Sequence, residues 1–141
     1  MIYINQVLQS VKDSTRIRII EIEESYVYVV NIDANTSMPK KELYSSLLTD
    51  IEQKEWLLVT DPFARVVKEE ELTEIQIYKR DTDWEIIQTN CAQHMEKLLQ
   101  KSGRETKIKE IATTLDVTPT KVKKLLSRYW QRGMNKNAML P

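Results

Sequence analysis

The sequence predicts an α+β chain: a small β-barrel-like N-terminal domain carrying one helix over residues 1–72, then a three-helix unit with helix-turn-helix geometry over residues 78–133. Three observations point there. The first third is a series of β-branched and aromatic runs separated by turn pairs. From residue 83 onward the apolar residues recur at helical spacing. The two glycines of the chain, Gly103 and Gly133, fall where helices of that unit should end, and there a left-handed cap is wanted.

Ile2 to Val7 reads as a short strand, and Asp13-Ser14 as a turn. Thr15 to Glu23 alternates through Ile17 and Ile19, then shifts phase to Ile20 and Ile22, which predicts a bulge. Glu24-Ser25 is a tight turn before the strand Tyr26 to Ile32. Asp33 to Met38 is a loop, Pro39 can open a helix, and Leu43, Leu47, Leu48 and Ile51 give Glu42 to Gln53 its helical stripe. Trp56 to Thr60 is a strand that Asp61-Pro62 breaks, and Phe63 to Val67 can add an edge strand. The charged stretch Lys68 to Glu71 is a hinge, beyond which Ile75, Ile77 and Tyr78 could still pair with the sheet.

A helix is expected from about Asp83, because Thr82 and Glu85 have the spacing of a capping box. Its stripe is Trp84, Ile87, Cys91, Met95 and Leu98. Ile108 to Ser127 then reads as the helix-turn-helix, with Ile111, Ala112, Leu115, Val117, Val122 and Leu125 inward. Ala112 is small where the second helix comes close, and Val117 plugs the turn. Asp116 stands where a glycine is usual and tolerates a left-handed backbone. Thr118 can cap the second helix, with Pro119 at its first position. Residues 134–141 show no periodicity and read as a linker.

Assigning the apolar positions to the core leaves Thr118, Thr120, Lys121, Lys123, Lys124, Ser127 and Arg128 outward. Such a face can lie in a DNA major groove, with its N-terminal side chains at base edges and its cations at phosphates. Lys107 and Arg132 extend the set, and Lys79 and Arg80 could also touch phosphate. Tyr129 and Trp130 can stack on bases or pack into the core, and packing is the commoner use. Charge supports the assignment. The net charge is zero, yet residues 101–141 hold ten Lys or Arg against three acids, a local +7 that leaves −7 on residues 1–100. A basic third on an acidic remainder suits a polyanion-binding module on a carrier. Lysine-rich amphipathic helices also occur in proteins that never touch DNA. Two rivals therefore stand: a transcription regulator with a β-rich sensor or dimerisation domain, and an interaction module whose basic helix meets an acidic partner.

No catalytic or metal motif emerges. Cys91 and His94 lack partner ligands for zinc, two glycines cannot build a phosphate loop, and the seven Asp are scattered. No cofactor is expected for these residues. No apolar run approaches the roughly 20 residues that cross a bilayer, the N-terminus lacks the features of a secretion signal, and one cysteine allows no internal disulfide. A cytoplasmic setting without a membrane partner is expected.

The segment Leu125 to Pro141 carries a more specific pattern. Arg128-Tyr129-Trp130-Gln131-Arg132-Gly133, followed by Asn137-Ala138-Met139-Leu140-Pro141, resembles the N-terminal DNA-binding region of TnsB-type transposases and of the related TniA-type. Met139 stands where that family often has Leu. Asp61-Pro62-Phe63 and Tyr78-Lys79-Arg80 match its organisation more loosely. The resemblance implies a bacterial transposase that binds repeats at transposon ends. It also implies a separate Mg-dependent, RNase H-like catalytic domain beyond residue 141, and as partners double-stranded DNA, other transposase subunits and an ATP-dependent regulator.

Overall fold

The computed structural model describes residues 1–141. Strands β1 (Val7–Ser10), β2 (Arg16–Ile22), β3 (Tyr26–Asn31), β4 (Lys40–Leu43) and β5 (Trp56–Val59) form one antiparallel sheet in the order β4-β3-β2-β1-β5. The sheet is not closed, since β4 and β5 are its two edges. Helix α1 (Tyr44–Glu52) connects β4 to β5. The expected phase shift is a register break between Ile19 and Glu21, opposite Val29 and Tyr28.

Both faces of the sheet are buried, which is why β3 reads as a nearly unbroken apolar run. One face presents Leu8, Ile17, Ile19, Val27 and Val29 to Leu47 of α1 and to Ile2. The other presents Val7, Ile20, Tyr28 and Val30, with Ile32 beyond the strand, to the helical half of the chain. Those five residues and the helical residues form one continuous core, so the β-rich and helical parts share their packing.

Several elements differ from the sequence reading. Residues 2–6 contain no strand, and β1 begins at Val7. Pro39 opens β4 rather than a helix: Lys40–Leu43 pairs with Tyr26–Val29, and α1 follows only at Tyr44. Phe63 to Val67 is irregular and joins no sheet. Ile75, Ile77 and Tyr78 lie in helix α2 (Glu74–Ile86), which starts nine residues before the expected Asp83. The capping box belongs to Thr73 and Gln76, each side chain accepting from the other residue's backbone N–H. The acidic segment ahead of it forms a 3₁₀ turn, Glu69–Glu71.

After α2 the chain passes through a π turn (Ile87–Cys91) and a 3₁₀ turn (Ala92–His94) into α3 (Met95–Leu99). Ile87, Cys91 and Leu98 still reach the core along this interrupted path, as their stripe requires. Helix α4 (Lys101–Leu115) is broken near its start, where Gly103 takes φ +84°. Arg104, 7% exposed, donates to the carbonyls of Leu98 and Leu99 at 2.8 and 2.9 Å and to that of Pro39 at 2.8 Å. It thereby satisfies the open end of α3 and ties it to the start of β4. Helix α5 (Pro119–Gln131) completes the helix-turn-helix.

The last eight residues are not a free linker. Lys136–Met139 is a 3₁₀ turn, and Ala138 and Met139 are buried in the shared core. Arg80, expected at the surface, is 2% exposed and clamps this segment. Its guanidinium donates to Glu69, to Asp81 at 2.9 Å and to Asn137 Oδ1 at 3.0 Å.

Candidate nucleic-acid interface

The turn between α4 and α5 forms as its residues require. Asp116 adopts φ 54°, ψ 48°, the left-handed conformation. Thr118 caps α5 by accepting from the Lys121 N–H at 3.2 Å, with Pro119 behind it at the first helical position. Ile111, Ala112, Val122 and Leu125 are buried. Val117 is 37% exposed and does not plug the turn.

The outer face of the first two turns of α5 is open to solvent. Thr118, Thr120, Lys121 and Lys124 are exposed, as expected of a reading helix. The rest of the helix is not free. Leu126, Ser127, Trp130 and Gln131 are buried together with Leu125. The cause is the sheet, which covers a second side of α5. Ser127 Oγ donates to the Ser37 carbonyl at 3.3 Å and accepts the Ser37 N–H at 3.1 Å. The Gln131 amide donates to the carbonyls of Asn31 and Ala34 at 2.9 and 2.8 Å. Ser127 is therefore a joint between helix and sheet, not a DNA-facing hydroxyl. Trp130 is core, and Tyr129 is half-buried with its ring 6.1 Å from that of Trp84.

The remaining candidate cations are placed unequally. Lys107 lies on α4 and pairs with Glu110 at 2.7 Å. Lys123 is half-buried and pairs with Glu105 at 2.9 Å. Lys121, Lys124, Arg128 and Arg132 follow one another at steps of three or four residues and so form a single stripe along α5 and its C-cap. Arg128 is restrained by Asp83 at 3.5 Å. Arg132 donates to the Leu140 carbonyl at 2.9 Å and lies 5.5 Å over the Phe63 ring. Burial, with Arg128 and Arg65 nearby, pulls its guanidinium below its ordinary pKa, though it stays charged.

A strut invisible as such in the sequence fixes α5 on the sheet. Arg18 of β2 is fully buried and makes two 2.7 Å bonds to Asp61. The same guanidinium donates to the Gln131 carbonyl, in the last turn of α5, at 3.3 Å and to the Asn5 carbonyl at 3.2 Å. Gly133, at φ +112°, lets the chain turn immediately past this point; a Cβ there would meet Asn135 Nδ2 at 3.3 Å.

No group of three or more His, Cys, Asp or Glu is placed to hold a metal ion. No helix is long and apolar enough to cross a membrane.

Comparison with known proteins agrees with this arrangement. The family model of the TnsB N-terminal SH3-like domain matches residues 1–62, the part that holds the sheet and α1. The model of the TnsB second domain matches residues 80–141, the helical part with its folded C-terminal turn. The transposon Tn7 transposition protein TnsB of Escherichia coli is 26% identical over 130 residues, which is 92% of this chain and 18% of that protein. The chain thus spans under a fifth of that relative's length. With the two models matched in order along almost all of the chain, it belongs to the TnsB family and carries that family's N-terminal SH3-like domain and second domain.

Proposed function

We propose that this chain binds the repeated sequences at the ends of a Tn7-like transposon, with the first two turns of α5 in the major groove. The observation that carries the reading is the contrast within α5. Its N-terminal turns expose Thr118, Thr120, Lys121 and Lys124, whereas its C-terminal half is locked between sheet and helices. A reading helix needs a free, polar N-terminal end on a rigid mount. Thr120 and Lys121 are the base-edge candidates. Lys124, Arg128 and Arg132 continue toward phosphates along the same stripe. Lys107 and Lys123 reach phosphate only by leaving their carboxylate partners. The family match favours this reading over a ligand-sensing regulator.

The relative's name as a transposition protein supports a wider assignment. The parent chain joins DNA ends through a metal-dependent catalytic domain outside these residues, works in the cytoplasm, and meets other transposase subunits and an ATP-dependent regulator. These 141 residues supply recognition only.

The test is competitive binding of the full 141-residue chain to an end-derived duplex and to its scrambled counterpart. Thr120→Ala and Lys121→Ala should each reduce discrimination by about 1–3 kcal/mol. Binding of both duplexes by both variants as tightly as by the parent would remove α5 from the reader's role.

A further inference from the structure

The sequence reading placed no DNA contact before the helical unit, yet the basic stripe of α5 continues onto the N-terminal part of the chain. Past Arg132 it runs into a cleft of about 510 Å³ between the irregular segment 63–67 and the folded C-terminal turn. Arg65 stands on one wall and Arg132 on the other. Arg65 is exposed and makes no ion pair or side-chain hydrogen bond.

Two amides join the guanidinium groups. Asn135 Oδ1 accepts from the Ala138 N–H at 3.0 Å, and Asn137 Oδ1 accepts from Arg80 at 3.0 Å. Each oxygen already accepts one bond while the NH₂ groups donate none, so the amides can add donors to the cleft they line. Of the carboxylates close by, Glu71 lines the adjoining pocket beside Arg65 without an ion pair, and the others are engaged. Asp61 spends both oxygens on Arg18, Asp83 faces Arg128, and Glu69 is held by Arg80. Two cations without a carboxylate partner, Arg65 and Arg132, and two amide side chains thus line one space, a composition suited to an anion. Val66 and Leu140 on its rim offer apolar surface suited to a sugar.

We propose that this cleft takes a backbone phosphate of the same duplex that α5 reads, with Arg65 and Arg132 as its cationic jaws. The inference rests on the proposed role of α5. From Lys121 to Arg132 the stripe extends roughly 17 Å at the helical rise. The major groove is about 12 Å wide. A helix end seated in the groove therefore places its far end at or beyond the flanking strand, where a phosphate is the available anion. Arg65 is the informative residue, because its exposed side chain supports nothing else in the fold.

The experiment measures binding of the full chain and of Arg65→Ala to the end-derived and scrambled duplexes across a salt series. Loss of one phosphate contact should lower affinity about fivefold at near-physiological salt and reduce the log–log salt slope by about 0.9, equally on both duplexes. Arg65→Lys should restore most of the slope. If Arg65→Ala keeps the parent's affinity and slope while Thr120→Ala still loses discrimination, the cleft holds no phosphate and α5 remains the reader. If an acidic peptide competes for the cleft of the parent but Arg65→Ala leaves DNA binding unchanged, the site serves a protein partner and the inference falls. If the parent itself shows no preference for the end sequence, the reading of α5 fails first, and uniform loss in Arg65→Ala would then still mark the cleft as a phosphate site.

Discussion

Arg18 and Asp61 meet through two parallel 2.7 Å hydrogen bonds, the first fully buried and the second with its side chain 22% exposed. The pair links β2 to the Asp61-Pro62-Phe63 segment, and through the Gln131 carbonyl to the end of α5. Burial by itself would raise the Asp61 carboxyl. The bonds from Arg18, together with the Phe63 N–H, outweigh it and hold the group below its ordinary value of 3.8. A carboxylate depressed in this way adds stability that is complete above the unfolded value and is lost as pH falls through the folded one.

The first expectation follows from this pair. Asp61→Asn should cost about 3 kcal/mol at neutral pH, because it leaves the Arg18 charge buried and unmatched. Its stability should also fall less steeply than the parent's below about pH 4. Thermal melts of both proteins across that range decide the matter; parallel curves would mean that Asp61 titrates without consequence for folding.

Ser127→Ala tests the role of that residue as a joint against the reading face. Its hydroxyl holds both backbone polar groups of Ser37. Removing it strands the Ser37 N–H at a partly buried joint, at a cost of about 1 kcal/mol. Discrimination between end and scrambled duplexes should stay at the parent's level once binding is measured well below the melting transition. A lost preference for the end sequence, with stability intact, would return Ser127 to the reading face.

The shared core bears on dissection of the chain. Val7, Ile20, Tyr28, Val30 and Ile32 sit in one cluster with the helical residues. A fragment of residues 73–141 would expose that face of the helices and lose the Ser37, Asn31 and Ala34 bonds to α5. It should show helical circular dichroism but no sharp thermal transition. A cooperative melt of the fragment near that of the full chain would show that the helical unit folds without the sheet.

The same sharing explains what could be read from residues alone. Periodicity, the Thr118-Pro119 start, the left-handed Asp116 and Gly133 located the turn, α5 and its end, because each is a local backbone requirement; Gly103, expected to close the preceding helix, instead breaks the first turn of α4. The phase shift at Ile19 and Ile20 located the bulge for the same reason. What failed was non-local. Ser127 reads as a surface hydroxyl on a helix considered alone, and only the approach of Ser37 buries it. Arg80 reads as a phosphate contact until Glu69 and Asn137 surround it. Arg18 and Asp61 are too far apart in the chain to suggest a pair, and Arg65 stands by itself in sequence. The start of α2 was missed because Thr82–Glu85 imitates the box that Thr73–Gln76 forms. Pro39 gave an ambiguous signal, since a proline can begin an edge strand as readily as a helix.

The last expectation concerns the charge set. Lys107 and Lys123, both named as phosphate contacts from sequence, are held by Glu110 and Glu105 at 2.7 and 2.9 Å. Counting only Lys124, Arg128 and Arg132 of the stripe, with Lys121 at base edges, leaves about three phosphates neutralised by α5 and a salt slope near −2.7 from that helix. Lys123 is the cation most easily recruited, because it lies on α5 beside the reading turns. Its pair with the exposed Glu105 holds it weakly, as surface ion pairs contribute about 0–1 kcal/mol. Glu105→Gln should free the ammonium without opening a cavity. If the freed side chain then reaches a phosphate, affinity should rise and the slope should steepen by about 0.9. A rise in affinity with the slope unchanged would indicate only that a repelling carboxylate had been removed from the approach to DNA. An unchanged affinity would place Lys123 outside the interface, and the stripe from Lys121 to Arg132 would then carry the backbone contacts of α5 alone.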